Sequence, residues 1–148
     1  MEIKLGTIND AEALAFMFDD YRQCYEQPSD YQACFAFVTD RLTNRDSYFL
    51  VAFDTDENIA CGFVQIYPSF SSISMKKIFI LNDLYVSPEY RKQGIAKDLI
   101  NKAKDFAKEQ NAGQIVIETR ISNSSASKLY DSVGFAKEGE HLYYFLET

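Results

Sequence analysis

Two stretches of this sequence combine residue types and spacings that could do chemistry. In the first, Leu84-Tyr85-Val86-Ser87-Pro88-Glu89-Tyr90-Arg91-Lys92-Gln93-Gly94-Ile95-Ala96, a β-prone apolar segment leads into a short loop with two cations and a glycine, just where helical periodicity begins. That order describes an anion site, because first-turn amides have no intrahelical partner and sit at the positive end of the helix dipole. Gly94 would let phosphate oxygens close on the backbone, and Ala96 keeps the next turn narrow. A glycine and two cations by themselves also fit an ordinary strand-loop-helix connection.

The second stretch is Asn123-Ser124-Ser125-Ala126-Ser127-Lys128-Leu129-Tyr130-Asp131-Ser132-Val133-Gly134-Phe135. Ser122 or Asn123 can cap a short helix there, and Gly134 can close it. Tyr130 shares a face with Ala126 and Val133, so on its own it reads as a core aromatic whose hydroxyl needs a polar partner. A third feature is Asp83, an acid within the apolar segment Ile78 to Val86. Burying it is costly, which makes it a candidate base, although a carboxylate paired with a backbone donor at a strand end fits too. His141 is the only histidine and has no Cys or His neighbours to make a metal set. Ser124 and Ser125 lack a nucleophile elbow, and Cys61 beside Gly62 reads as core.

Taken together, these segments resemble the GNAT superfamily of N-acetyltransferases. Leu84 to Ala96 is similar to that family's Leu-Tyr-Val-x-Pro phrase followed by Arg/Gln-x-x-Gly-x-Gly/Ala, and Asn123 to Phe135 to its Asn-x-x-Ala-x-x-Leu-Tyr-x-x-x-Gly-Phe segment. The resemblance implies acetyl-CoA as acyl donor, without a metal. Backbone around Leu84, Tyr85 and Val86 would pair with the pantetheine arm, which Asn123 would also hydrogen-bond. Amides from Arg91, Lys92, Gln93, Gly94, Ile95 and Ala96 would hold the pyrophosphate, and Tyr130 would be the general acid for the departing thiolate. A tyrosine near pKa ~10 donates to a thiolate near ~8.5 at a cost of about 2 kcal/mol, and an amine of pKa ~10.4 costs about 4.6 kcal/mol to neutralise at pH 7, so a base is needed.

Family members often carry a glutamate on the strand before the phosphate loop, where this chain has Asn82 and Asp83. Asp83 is therefore the candidate base, with a water chain or a group from the first two helices as alternatives. The stretches Gly62 to Ser72 and Ile80 to Leu84 resemble the branch related to yeast histone and polyamine acetyltransferases. This implies polyamines, basic peptides or aminoglycosides as acceptors and a homodimeric state. An amino acid or metabolite amine as acceptor, or a CoA-binding module without turnover, are the competing readings.

The elements that must position these residues follow from periodicity. A short strand, Glu2 to Leu5, precedes a helix capped at Asn9 with the stripe Leu14, Met17, Phe18, Tyr21, Cys24 and Tyr25. A second helix, capped by Ser29 or Asp30, carries Tyr31, Cys34, Phe35, Val38 and Leu42. Tyr48 to Phe53 and Ile59 to Tyr67 read as a hairpin, Pro68 to Ser74 as a Ser-rich loop and Ile78 to Val86 as a strand. A helix from Ile95 stops at Asn111-Ala112-Gly113, a strand spans Ile115 to Ile121, the short capped helix follows, and Phe135 to Leu146 suggests a final hairpin. The expected architecture is α/β (α+β): the GNAT fold, a mixed, mostly antiparallel sheet with helices on both faces, in the order βααβββαβαββ over one domain, residues 1–148.

Composition narrows the partners. The chain has 148 residues and a formal net charge of −7, which disfavours nonspecific nucleic-acid binding. Residues 9–46 hold eight acids against three bases, a net of −5, whereas residues 87–113 hold six bases against four acids, a net of +2. No apolar run is long enough for a membrane span, and no leader pattern opens the chain, so a cytoplasmic protein is expected. Cys24, Cys34 and Cys61 have no CxxC spacing and fall in apolar patterns, and buried free thiols are expected.

Overall fold

The computed structural model describes residues 1–148 as two compact units, Met1–Glu118 and Thr119–Thr148. The first holds β1 (Glu2–Leu5), α1 (Ala11–Gln23), α2 (Tyr31–Asn44), β2 (Tyr48–Asp54), β3 (Ile59–Ser71), β4 (Lys76–Val86), α3 (Ile95–Glu109) and β5 (Ile115–Ile117); the second holds α4 (Ser124–Ser132). The sheet runs β1-β2-β3-β4-β5, antiparallel except for the parallel β4–β5 pair.

Alternation along the strands gives each face of this sheet its own helices. On one face Phe49, Val51, Phe63 and Tyr85 pack with Ala11, Leu14 and Met17 of α1 and Val38 of α2. On the other, Tyr48 and Phe79 meet Phe106 of α3, with ring centroids 4.9 and 5.7 Å away. Gly62 sits against α3 where a Cβ would come within 2.9 Å of the Tyr85 carbonyl oxygen. Phe49, Phe63, Leu99 and Ile100 are fully buried, and each contributes about 1.5–3 kcal/mol of apolar driving force.

Several expectations are corrected. α1 is entered through a single turn, Ile8–Asp10, in which Asp10 accepts from the Thr7 amide at 2.7 Å; Asn9 is not the cap. α2 is capped by Asp30, one of the two expected caps, whose carboxylate accepts from Ala33 N at 3.0 Å. Of its expected stripe, only Cys34 and Val38 are buried, since α2 also turns Tyr31 and Phe35 towards solvent. β3 runs on through Pro68 to Ser71, paired with Lys76 to Phe79, so the Ser-rich loop shrinks to a turn. β5 ends at Ile117, not Ile121. Residues 136–148 carry no strand: the charged segment Lys137 to His141 interrupts the alternation, and Leu142 to Leu146 is a continuous apolar run with no ladder partner. Cys24 is exposed at the C-terminal cap of α1, whereas Cys34 and Cys61 are buried.

Candidate active site

The loop between β4 and α3 has the geometry of an anion cradle. Lys92 and Gly94 take positive φ, +62° and +87°, turning successive amides the same way before the helix starts. The Tyr90 and Arg91 amides bond back to Ser87 O and Pro88 O, and the next to bond back is that of Asp98, to Gly94 O at 3.1 Å. Amides from Gly94 to Lys97 thus make no hydrogen bond within the chain. A Cβ at Gly94 would meet nothing within 4 Å, so the space over the cradle is open. Arg91 is tied to the strand end, donating from Nε to Val86 O at 2.8 Å with its guanidinium 5.7 Å over the Tyr85 ring. Ile95 faces the core and Ala96 is half-buried, so both offer backbone rather than side chain to a ligand.

Upstream, β4 is bulged. Gln65 pairs with Asp83 and the adjacent Ile66 with Leu81, which leaves Asn82 as the extra residue. Pairing with β5 covers Phe79 to Leu81 alone, so the edge of β4 from Asn82 through Leu84, Tyr85 and Val86 is paired only with β3. An extended ligand arm could bond to that edge, ending where the amide cradle begins.

Asp83 lies under α1. It keeps 7% of its surface exposed, accepts from Asn82 Nδ2 at 3.0 Å and is hydrogen-bonded by Tyr21. Burial pushes its carboxyl above the ordinary carboxylate range, and the two hydrogen bonds only partly oppose this. Burial, then the Asp83 charge, pushes Tyr67 up to about 12 and raises Tyr21 further. Gln65, on the same face by strand alternation, donates to Ser47 Oγ at 3.1 Å, and its carbonyl oxygen is unpartnered. Tyr21, Gln65 and Tyr67 are absent from the candidates that local motifs suggest. Their period of two with Phe63 puts Gln65 and Tyr67 on one face, but the bulge that adds Asp83 leaves no trace in the sequence.

Asn123 and Tyr130 belong to the second unit. Asn123 caps α4, its side-chain oxygen accepting from Ala126 N at 3.1 Å. Tyr130 is half-buried, with its ring 5.8 Å from that of Phe135. The amide cradle, the open β4 edge and Asp83 all lie within the first unit. His141 lies on the surface, paired with Glu138 at 2.7 Å. No helix is long and apolar enough to cross a membrane.

Comparison with known proteins places these features in a family setting. Residues 14–135 match the family model described as acetyltransferase (GNAT) family. The chain is 40% identical to an uncharacterized N-acetyltransferase of Bacillus subtilis strain 168, over all of this chain and 98% of that protein. It is 33% identical to a probable acetyltransferase of Haemophilus influenzae, over 84% of this chain and 82% of the relative. The crystal structure of a probable acetyltransferase superposes with a TM-score of 0.93 at 36% identity, covering 100% of this chain and 98% of the other.

Proposed function

The chain belongs to the acetyltransferase (GNAT) family, and on that premise we propose that it transfers the acetyl group of acetyl-CoA to a primary amine by direct attack in a ternary complex. The observation that carries this reading is the row of unpaired amides from Gly94 to Lys97 at the head of α3, close in sequence to the open edge of β4. Those amides, with Arg91 and Lys92, would hold the pyrophosphate, and Leu84 to Val86 would bond to the pantetheine arm. The Asn123 to Phe135 motif assigns Asn123, whose side-chain oxygen caps α4, a hydrogen bond to pantetheine.

In the chemical step the amine nitrogen attacks the thioester carbonyl carbon, the C–S bond breaks, and two protons must move. Asp83 takes the proton from the amine, directly or through one water, and its raised pKa makes it a stronger base than an exposed aspartate. Tyr130 gives its proton to the departing sulfur, a role assigned from the Asn123 to Phe135 motif. Polyamines, basic peptides or aminoglycosides form the proposed acceptor class, supported by the acidic character of residues 9–46.

Thiol release from acetyl-CoA, measured with spermidine, a lysine-rich peptide, an aminoglycoside and a neutral amino acid, tests the reading. CoA at 100 times its dissociation constant should stabilise the wild type by roughly 2.7 kcal/mol. Gly94→Asp should abolish that gain, since it sets a like charge over the cradle, although φ +87° also strains any side chain placed there. A folded Gly94→Asp protein with an undiminished CoA shift would place the cofactor elsewhere.

A further inference from the structure

The outer face of the α1–α2 pair carries a row of aromatic rings that the fold does not bury. Phe16 stacks on Tyr31 with centroids 4.4 Å apart and an interplanar angle of 29°, and Tyr31 stacks on Phe35 at 6.0 Å. Phe16 is nevertheless 56% exposed and Phe35 38% exposed. On α1, Phe16 stands midway between Glu12 and Asp20 at i, i+4 spacing, so one helix face reads acid, aromatic, acid. Both acids are exposed. Glu12 and Asp20 are close enough to act on neighbouring rings: after burial, Glu12 is the next cause raising the Tyr31 hydroxyl and Asp20 the next cause raising Tyr85. The stripe therefore runs from the exposed rings towards Tyr85 and Arg91, and Tyr21, the residue after Asp20, bonds Asp83.

A second copy of this chain is a poor occupant for such a face. In a two-fold interface the same patch meets itself, which would set Glu12 and Asp20 against their own copies without a cation to offset them. A partner with cations spaced between apolar groups fits both the rings and the acids. Elsewhere the chain makes that contact internally: Arg41 lies 5.0 Å over the Phe37 ring of α2.

We propose that the Glu12–Phe16–Asp20 stripe and the Tyr31–Phe35 stack dock the basic, partly apolar flank of a peptide whose lysine enters at Asp83. This rests on the acetyl-transfer reading and narrows it to a peptide or protein acceptor. The stripe spans nine residues of helix, eight steps of 1.5 Å or about 12 Å, so a small amine such as n-butylamine reaches only the reacting end.

The test measures binding of a fluorescent ten-residue peptide of alternating arginine and leucine around one lysine, in the presence of CoA. Wild type, Phe16→Ser and the double variant Glu12→Gln with Asp20→Asn are compared. All three positions are exposed, so the fold should persist. Phe16→Ser should weaken binding roughly tenfold, the size of one lost cation–π contact and part of an apolar one. The charge variant should weaken it less and remove most of its salt dependence. Any turnover of n-butylamine and the CoA thermal shift should be unchanged in both. Equal peptide affinity in wild type and Phe16→Ser, or no peptide binding by the wild type, overturns the docking surface. So does a concentration-dependent dimer that Phe16→Ser dissociates. A wild type without a CoA thermal shift sinks the acetyl-CoA reading instead.

Discussion

Burial holds the Asp83 carboxyl above the usual aspartate range, against the pull of Asn82 and Tyr21. Its proton is thus bound more tightly in the folded chain than in the unfolded one, where the pKa is near 3.8. Stability contributed by the neutral acid is present below that value and lost as pH rises through the folded one, so at pH 7 the charged group weighs against the fold. Asp83→Asn should therefore raise Tm at pH 7, and the gain should vanish below about pH 3.8. The same substitution removes the proposed base, so the rise of rate with pH expected of the wild type should flatten. A lower Tm with an unchanged rate profile would deny Asp83 both roles. Tyr130→Phe should lower turnover roughly 10²- to 10⁴-fold with CoA affinity intact, as expected for a general acid; wild-type turnover in the folded variant would remove it from the mechanism. Arg91 to Ala96 and Asn123 to Phe135 were legible in the sequence because each is a contiguous run. Tyr21, Gln65 and Tyr67 were not, since only the pairing of β3 with a bulged β4 sets them beside Asp83.

Among the elements, those whose apolar period has a clear burial partner appear where periodicity puts them. α3 buries Ile95, Leu99, Ala103, Phe106 and Ala107 as its spacing predicts. Two elements departed for different reasons. α2 carries more aromatic residues than one buried face can hold, so Tyr31 and Phe35 lie outside the core although their spacing suits it. Phe135 to Leu146 suggests a hairpin in sequence, but its alternation is broken by Lys137 to His141 and it has no neighbouring strand to complete a ladder. β3 contributes a packing constraint that no motif marks. Gly62 pairs with Val86 and packs beneath Leu99 and the Tyr85 carbonyl. Gly62→Ala should cost about 1–3 kcal/mol, as overpacking does, because the nearest obstacle is backbone and cannot rotate away. Chemical denaturation would measure it, and a loss below about 0.3 kcal/mol, well under that range, would mean that β3 and β4 separate more easily than their pairing implies.

For the whole molecule, charge segregation is what a substrate meets first, and the structure changes its accounting. Of the eight acids in residues 9–46, Asp10 and Asp30 cap helices. Asp19 is buried and accepts from Ser29 Oγ at 2.6 Å and Asp30 N at 2.8 Å, and Asp46 pairs with Arg41 at 2.8 Å. Glu12, Asp20, Glu26 and Asp40 remain exposed without such partners, and because a hydrogen-bonded carboxylate keeps its charge, only the Arg41–Asp46 pair cancels outright. Partly screened charges of this kind act mainly on encounter and on the choice among acceptors, and little on the barrier once the amine is seated. Specificity constants for spermidine and a lysine-rich peptide should therefore exceed that for a neutral amino acid at 0.1 M salt. The advantage should shrink at 1 M, as the Debye length falls from about 10 Å to about 3 Å. Because screening acts on approach, the loss should appear in kcat/KM, with kcat at saturating acceptor nearly unchanged. A neutral acceptor preferred at low salt would remove the cationic-acceptor proposal, and a fall in kcat alone would locate the salt effect in the reacting centre instead of the acidic helices.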